Sequence, residues 1–221
     1  VTSSTPATAS LTERRKAATR MEIAKAAAGL FAARGPKATR AEDIAHAAGI
    51  APRTFYRYFA TKEEAVAPLY AAGAQRWAQA VREAPPELAL PEALAHAVQH
   101  TLVPGRGVSA ASWDWVRTLI RLAGTNPALG KVWAEVCQAS EEALAEVLTA
   151  RLSRDTGITP HRRFAAAVAS AAVRVAVESW AATDTPATGP RSPAALAMNN
   201  LEALRGFAWE DTEGERPADQ R

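Results

Sequence analysis

The stretch Thr39-Arg-Ala-Glu-Asp-Ile-Ala-His-Ala-Ala-Gly-Ile-Ala-Pro-Arg-Thr-Phe-Tyr-Arg-Tyr-Phe-Ala-Thr-Lys62 decides the fold of this chain. Thr39-Arg-Ala-Glu42 has capping-box spacing and opens a short helix that ends at Gly49. Ala51-Pro52 opens a second, Pro52 to Phe59, with proline at the first helical position, where its missing N–H costs nothing. Two short helices joined by a glycine-containing turn form a helix-turn-helix. At about 100° per residue, Phe55 and Phe59 share one face and point inward. Arg53 and Arg57 lie opposite them, Thr54 and Tyr58 on one flank and Tyr56 on the other. Such a rod suits a DNA major groove: guanidinium forks read guanine edges and hydroxyls hold the phosphate walls. An αα-hairpin with a merely solvated basic face has the same pattern.

Outward from this stretch the chain reads as helix nearly throughout, with no alternation typical of strands. A first helix starts at the capping box Ser10-Leu-Thr-Glu13, carries the stripe Ile23, Ala27, Leu30, Phe31, and stops at Gly35-Pro36. Thr61-Lys-Glu-Glu64 is a third capping box and opens a long helix toward Ala84; Pro68, inside it, predicts a kink or a break. Further helices are predicted over Pro91–Leu102, from a Ser112 cap to Gly124, from an Asn126-Pro127 cap to Arg154, from Thr159-Pro160 to Ala182, and from Pro193 to Arg205. Pro104–Gly107 and Asp155–Ile158 read as a loop and a turn. The expected fold class is all-α: residues 1–66 form an N-terminal arm and three-helix head, 67–210 a helical body, and 211–221 a polar tail expected to be disordered.

The chain has 221 residues, and its charge is unevenly placed. Residues 1–65 hold eleven cations against six anions, whereas the rest hold fifteen against seventeen. A basic head on a mildly acidic body points to a polyanion partner. One cysteine, Cys137, excludes an intrachain disulfide and multi-cysteine zinc ribbons, and its place in a helical run reads as packing rather than reactivity. No apolar stretch is expected to span a bilayer, and Val1 to Ser10 lack the features of a signal peptide, so a cytoplasmic protein without a membrane partner is expected. His96 and His100 share a helix face, but no third ligand is evident; His46 and His161 read as surface residues, and no metal or cofactor is expected. No nucleophile elbow, P-loop, dinucleotide glycine pattern or EF-hand loop occurs, so an enzyme has no residues to stand on.

The head resembles the DNA-binding domain of the TetR family of transcriptional regulators. The likeness rests on Thr39, Ile44-Ala45, Ala48-Gly49-Ile50, Ala51-Pro52-Arg53-Thr54, Phe55-Tyr56-Arg57-Tyr58-Phe59 and Thr61-Lys62, within residues 11–66. It implies that Thr39, Thr54, Tyr56, Tyr58 and Lys62 contact phosphates, with Arg53, Arg57 and Arg40 as candidate base readers. Ala51 departs from the usual serine and removes a cap hydroxyl worth about 1 kcal/mol. The body, from Asn126-Pro-Ala-Leu through Glu142-Ala-Leu-Ala-Glu146 and from Arg174 to Trp180, is similar to actinobacterial members resembling mycofactocin-system regulators.

The resemblance implies an effector pocket and a homodimer interface built by the body. Trp113, Val116 and Ile120 form one apolar stripe, and Trp115, Leu119 and Leu122 a second. These stripes are either core or pocket wall, and Trp77 and Trp133 are further pocket candidates. Arg117 and Arg121 face an anionic ligand, pair with Asp114, or stay solvated. Ala165, Ala169, Ala172 and Ala176 make a small-residue stripe for close helix approach; with Leu196 and Leu204 on the last helix it is the expected dimer element. The implied function is a dimeric regulator, most simply a repressor that binds a double-stranded operator at the nucleoid and is released by a small-molecule effector. A ligand-independent activator or architectural protein is the alternative, and a helical carrier with a basic head is a rival from another class.

Overall fold

The computed structural model describes residues 10–105, 110–152 and 157–209. The expected tail 211–221, most of the N-terminal arm, and the Arg106–Gly107 and Asp155–Thr156 parts of the two connectors lie outside the described residues. The chain divides into two compact units, Val1–Tyr70 and Ala71–Arg221.

The first unit contains α1 (Leu11–Arg34), α2 (Ala41–Ala47), α3 (Pro52–Phe55) and a 3₁₀ turn, Glu64–Val66. The predicted box at the start of α1 is complete: Glu13 N–H donates to Ser10 Oγ at 3.2 Å, and Ser10 N–H to Glu13 Oε2 at 2.7 Å. At α2 the cap is displaced by one residue. Arg40 is the N-cap and its N–H donates to Asp43 Oδ2 at 2.9 Å, while Thr39 turns inward. Only Pro52–Phe55 is regular α-helix; the chain then tightens, with Arg57 N–H bonding Thr54 O and Tyr58 N–H bonding Phe55 O. The unit's core is Ile23, Ala27, Phe31, Ile44, Phe55, Phe59, Ala65 and Val66, each at most 3% exposed. Gly49 takes φ +68°, the left-handed turn conformation that a side chain disfavours.

The long helix predicted from Thr61 is broken rather than kinked. The 3₁₀ turn precedes α4 (Ala67–Glu83), so Pro68 falls in the first helical turn, where proline is tolerated.

The second unit holds most of α4 and then α5 (Leu90–Thr101), α6 (Ala110–Thr125), α7 (Pro127–Leu152), α8 (Pro160–Ala181) and α9 (Pro193–Ala203). Asn126 Oδ1 caps α7 as predicted, accepting from Ala128 and Leu129 N–H, and Thr159 and Ser192 cap α8 and α9. Helix α6 begins at Ala110, two residues ahead of the expected start at Ser112. Helix α8 packs on α6, α7 and α9. Contrary to expectation, α8 is long and apolar enough to cross a membrane, but half of that stretch is buried in the protein. Its alanine stripe is also not a free face. Ala165, Ala169, Ala172 and Ala176 are buried inside this chain, so the close approach they permit is made to the protein's own helices.

Cys137 sits half-buried on α7, and burial pushes its thiol up to about 11 against the partial opposition of Arg174. Its thiolate fraction at pH 7.5 is about two orders of magnitude below that of a free thiol. Iodoacetamide is expected to label the folded protein correspondingly slowly; labelling at the free-cysteine rate would contradict the packing described.

Candidate nucleic-acid interface

Phe55 and Phe59 are the anchor of the helix-turn-helix. They are 0% and 3% exposed, with ring centroids 5.7 Å apart, so the opposite side of the segment faces outward. Arg53 and Arg57 are exposed on that side, with Thr54 and Tyr58 half-buried on its flank. Tyr56 is exposed, and its hydroxyl donates to Glu42 Oε1 at 3.4 Å. The adjacent Glu42 charge raises the Tyr56 phenol, which keeps it a donor. Arg40 is exposed at the start of α2.

Two expected phosphate contacts have their polar groups turned into the head. Thr39 is fully buried and its hydroxyl donates to Gly35 O at 2.9 Å. Lys62 Nζ donates to Pro36 O and Thr39 O, both at 2.7 Å, and lies 3.8 Å from Glu63. An ammonium has three donors, and here two of them close the α1–α2 turn. Lys62→Met is therefore expected to cost about 1–2 kcal/mol of stability, reduced from the buried case by partial exposure, as read by urea denaturation. The salt dependence of DNA binding should stay unchanged. A slope smaller by about 0.9 would instead make Lys62 a phosphate contact.

Arg20 is the residue that periodicity missed. Its guanidinium donates to Tyr58 O at 2.7 Å and lies 4.4 Å over the Phe59 ring, tying α1 to the end of the Pro52–Phe59 segment. The available signal was an arginine three residues ahead of Ile23, on the apolar stripe itself. Asp43 is a second clamp. It accepts the Arg40 N–H and pairs with Arg34 at 2.5 Å, and these contacts hold its carboxyl below the usual range.

In the second unit the candidate effector residues separate. Trp113 and Ile120 cluster with Trp180 and Ala181, and Val116 and Trp133 pack against them. The Trp113 and Trp180 rings meet edge to face at 5.3 Å, and the Arg117 guanidinium lies 4.3 Å over Trp180. Trp77 belongs to a different cluster, with Val81, Leu148 and Trp209, so it does not share a wall with the others. Trp133 Nε1 donates to Glu178 Oε1 at 2.7 Å. Neither arginine of α6 pairs with Asp114. Arg117 donates to Thr185 O, and Arg121 to Ala181 O, Thr183 O and Asp184, strapping down the loop after α8. The second expected stripe splits, with Leu119 buried and Trp115 46% exposed. A surface cleft of about 340 Å³ is lined by Pro86, Leu88, Arg151 and Arg162 among others, and none of the expected effector residues borders it. His96 and His100 stack at 4.0 Å, and no group of three or more metal-binding side chains occurs among the described residues.

Comparison with known proteins follows this division. Residues 23–67 match the family described as "Bacterial regulatory proteins, tetR family", and residues 88–196 match the "MftR C-terminal domain". The chain is 30% identical over 181 residues to the HTH-type transcriptional regulator TcmR of Streptomyces glaucescens, covering 81% of this chain and 80% of that protein. Among solved structures, the repressor AlkX of Dietzia superposes with a TM-score of 0.57 at 21% identity, over 84% of this chain and 95% of that one. Thermus thermophilus FadR, a repressor in complex with lauroyl-CoA, superposes with a TM-score of 0.51 at 26% identity, over 91% and 100%. All three relatives are described as transcriptional regulators or repressors. With its helix-turn-helix and helical body matched over most of its length, the chain belongs to the TetR family of transcriptional regulators.

Proposed function

We propose that the chain acts as a cytoplasmic homodimeric repressor whose Pro52–Phe59 segment enters the major groove of an operator and which a small molecule releases. The observation that carries this is the outward pair Arg53 and Arg57 set opposite the buried Phe55 and Phe59. Arg40, Thr54, Tyr56 and Tyr58 surround that pair as lateral contacts, and Thr39 and Lys62 shape the turn that presents it. A two-fold dimer places two such segments about 34–36 Å apart, one DNA turn, on a near-palindromic site. For the dimer seam, the outer face of α8 replaces the buried alanine stripe. Phe164 and Val175 are 57% and 44% exposed there, with the half-buried Val168 and Ala171 between them at i, i+4, i+7 and i+11 spacing.

Release follows if the effector binds the non-operator state more tightly, by no more than that difference in affinity. The cluster of Trp113, Val116, Arg117, Ile120, Trp133 and Trp180 is the proposed seat. Trp113 Nε1 and Arg117 Nε are buried donors without an acceptor, which favours an apolar effector carrying an acceptor oxygen. FadR with its acyl thioester is a precedent for such chemistry.

The test is selection of duplexes from a randomised pool, followed by binding titration against a scrambled duplex. Salt-sensitive, sequence-preferring binding by two protomers per site is expected. Equal binding to both duplexes would reject the operator reading. Metabolite-extract fractions that raise the melting temperature are expected to release the selected duplex; if none does, the regulator works without a ligand.

A further inference from the structure

The head's cations fall into two classes. Arg20, Lys25, Arg34 and Lys62 have partners within the chain. Among the described residues Arg14, Arg15, Lys16, Lys37, Arg40, Arg53 and Arg57 have no side-chain hydrogen bond or ion pair. Four of these lie in or beside the helix-turn-helix. The other three are consecutive, on the first turns of α1, where every residue from Ser10 to Ala18 is exposed.

This first third of α1 has no packing of its own to justify it. Helices are held mainly by a buried face, and this portion has none, with even Leu11 66% exposed. What holds its end is the reciprocal Ser10–Glu13 box, which also occupies the carboxylate nearest to the three cations. A capped, unburied, cationic length of helix is suited to a partner outside the chain.

The direction of the helix supports the choice of partner. Arg20 grips the Tyr58 carbonyl and the Phe59 ring. Lys16 is one turn earlier, about 6 Å along the axis and about 40° around it, so it follows Arg20 on nearly the same face. Lys16 therefore stands one turn of α1 away from the residue that grips the end of the Pro52–Phe59 segment. Arg15 lies about 100° around the rod from Lys16, and Arg14 about 160° around it the other way, so they add charge to the same exposed turns rather than to the same face.

We propose that the exposed first turns of α1 form a second DNA contact, in which Lys16, supported by Arg14 and Arg15, holds the sugar-phosphate backbone flanking the half-site read by Arg53 and Arg57. This rests on the regulator reading above and extends it to a surface outside the helix-turn-helix. The contact is electrostatic, so it adds affinity and salt dependence without base preference.

The test compares Lys16→Gln and the triple variant Arg14→Gln/Arg15→Gln/Lys16→Gln with wild type, on the selected duplex and on its scrambled counterpart, over 50 to 200 mM salt as in about the usual range. The magnitude of the slope of log K against log salt is expected to fall by about 0.9 per head for Lys16→Gln and by more than that for the triple variant. Both duplexes should lose affinity by the same factor, and Lys16→Arg should restore the slope. Circular dichroism and melting temperature are expected to match wild type, since all three side chains are exposed. An unchanged slope in the triple variant, with wild type binding normally, overturns the proposal, as does a loss confined to the selected duplex. Wild-type protein that binds neither duplex would reject the regulator reading itself.

Discussion

Phe55→Ala is expected to unfold the head and abolish operator binding. The ring is fully buried and meets Tyr56 edge to face at 5.5 Å as well as Phe59, so truncation leaves a cavity at the centre of the head. The cost of such a change is about 3–5 kcal/mol, a large part of what holds a small domain together. The chain offers a convenient readout. All three tyrosines, Tyr56, Tyr58 and Tyr70, lie in the first unit, and all six tryptophans lie in the second. Tyrosine emission and helical circular dichroism should report loss of the head while the tryptophan maximum stays in place, and Phe55→Leu should be far milder. A Phe55→Ala protein that retains wild-type melting and DNA binding would show that the recognition segment is not anchored by this ring.

Arg53→Ala/Arg57→Ala is expected to leave the fold intact and to weaken selected-duplex binding by about 2–6 kcal/mol if the two act independently, roughly 30-fold to 10⁴-fold. Both side chains are exposed, so the loss cannot pass through stability. A bidentate contact to guanine is worth about 1–3 kcal/mol of discrimination, and the double variant should therefore lose preference between selected and scrambled duplexes. Uniform weakening of both duplexes, with a smaller salt slope, would move the arginines to the phosphate-contacting class. That outcome would leave Phe55 and Phe59 as anchors but remove direct readout by this segment.

Much of the fold was legible because its signals are local. The Ser10–Glu13 box, the Asn126 cap of α7 and the Thr159 cap of α8 act across two or three residues, and each appears where its spacing placed it. The inward turn of Phe55 and Phe59 is equally local, since one helical turn sets both rings. The α2 cap was misplaced by one residue because Thr39 had a competing option that spacing does not show. Its hydroxyl reaches back to Gly35 across the turn closed by Lys62, leaving Asp43 to cap α2 through Arg40.

The candidate sites were legible in unequal measure for the same reason. Arg53 and Arg57 needed only the helical angle. Lys62, Arg117, Arg121 and Trp133 needed acceptors 23 to 68 residues distant: the carbonyls of Thr39, Thr185 and Ala181 and the carboxylate of Glu178. Long side chains can serve many acceptors at equal local cost, so the one chosen depends on which backbone the fold brings near. Trp77 and Trp113 looked alike as bulky apolar positions, and only packing sent them to different clusters.

By itself the sequence determined the all-helical class, most helix bounds, the helix-turn-helix and the outward arginines, because caps, turns and periodicity act within a few residues. Tertiary structure alone decided that the alanine stripe of α8 serves the chain's own core, that Thr39 and Lys62 build a turn, that Arg20 locks the recognition segment, and that Trp180 gathers the aromatic cluster. Those outcomes depend on contacts between distant segments, and no local spacing encodes which distant groups a folded chain brings together.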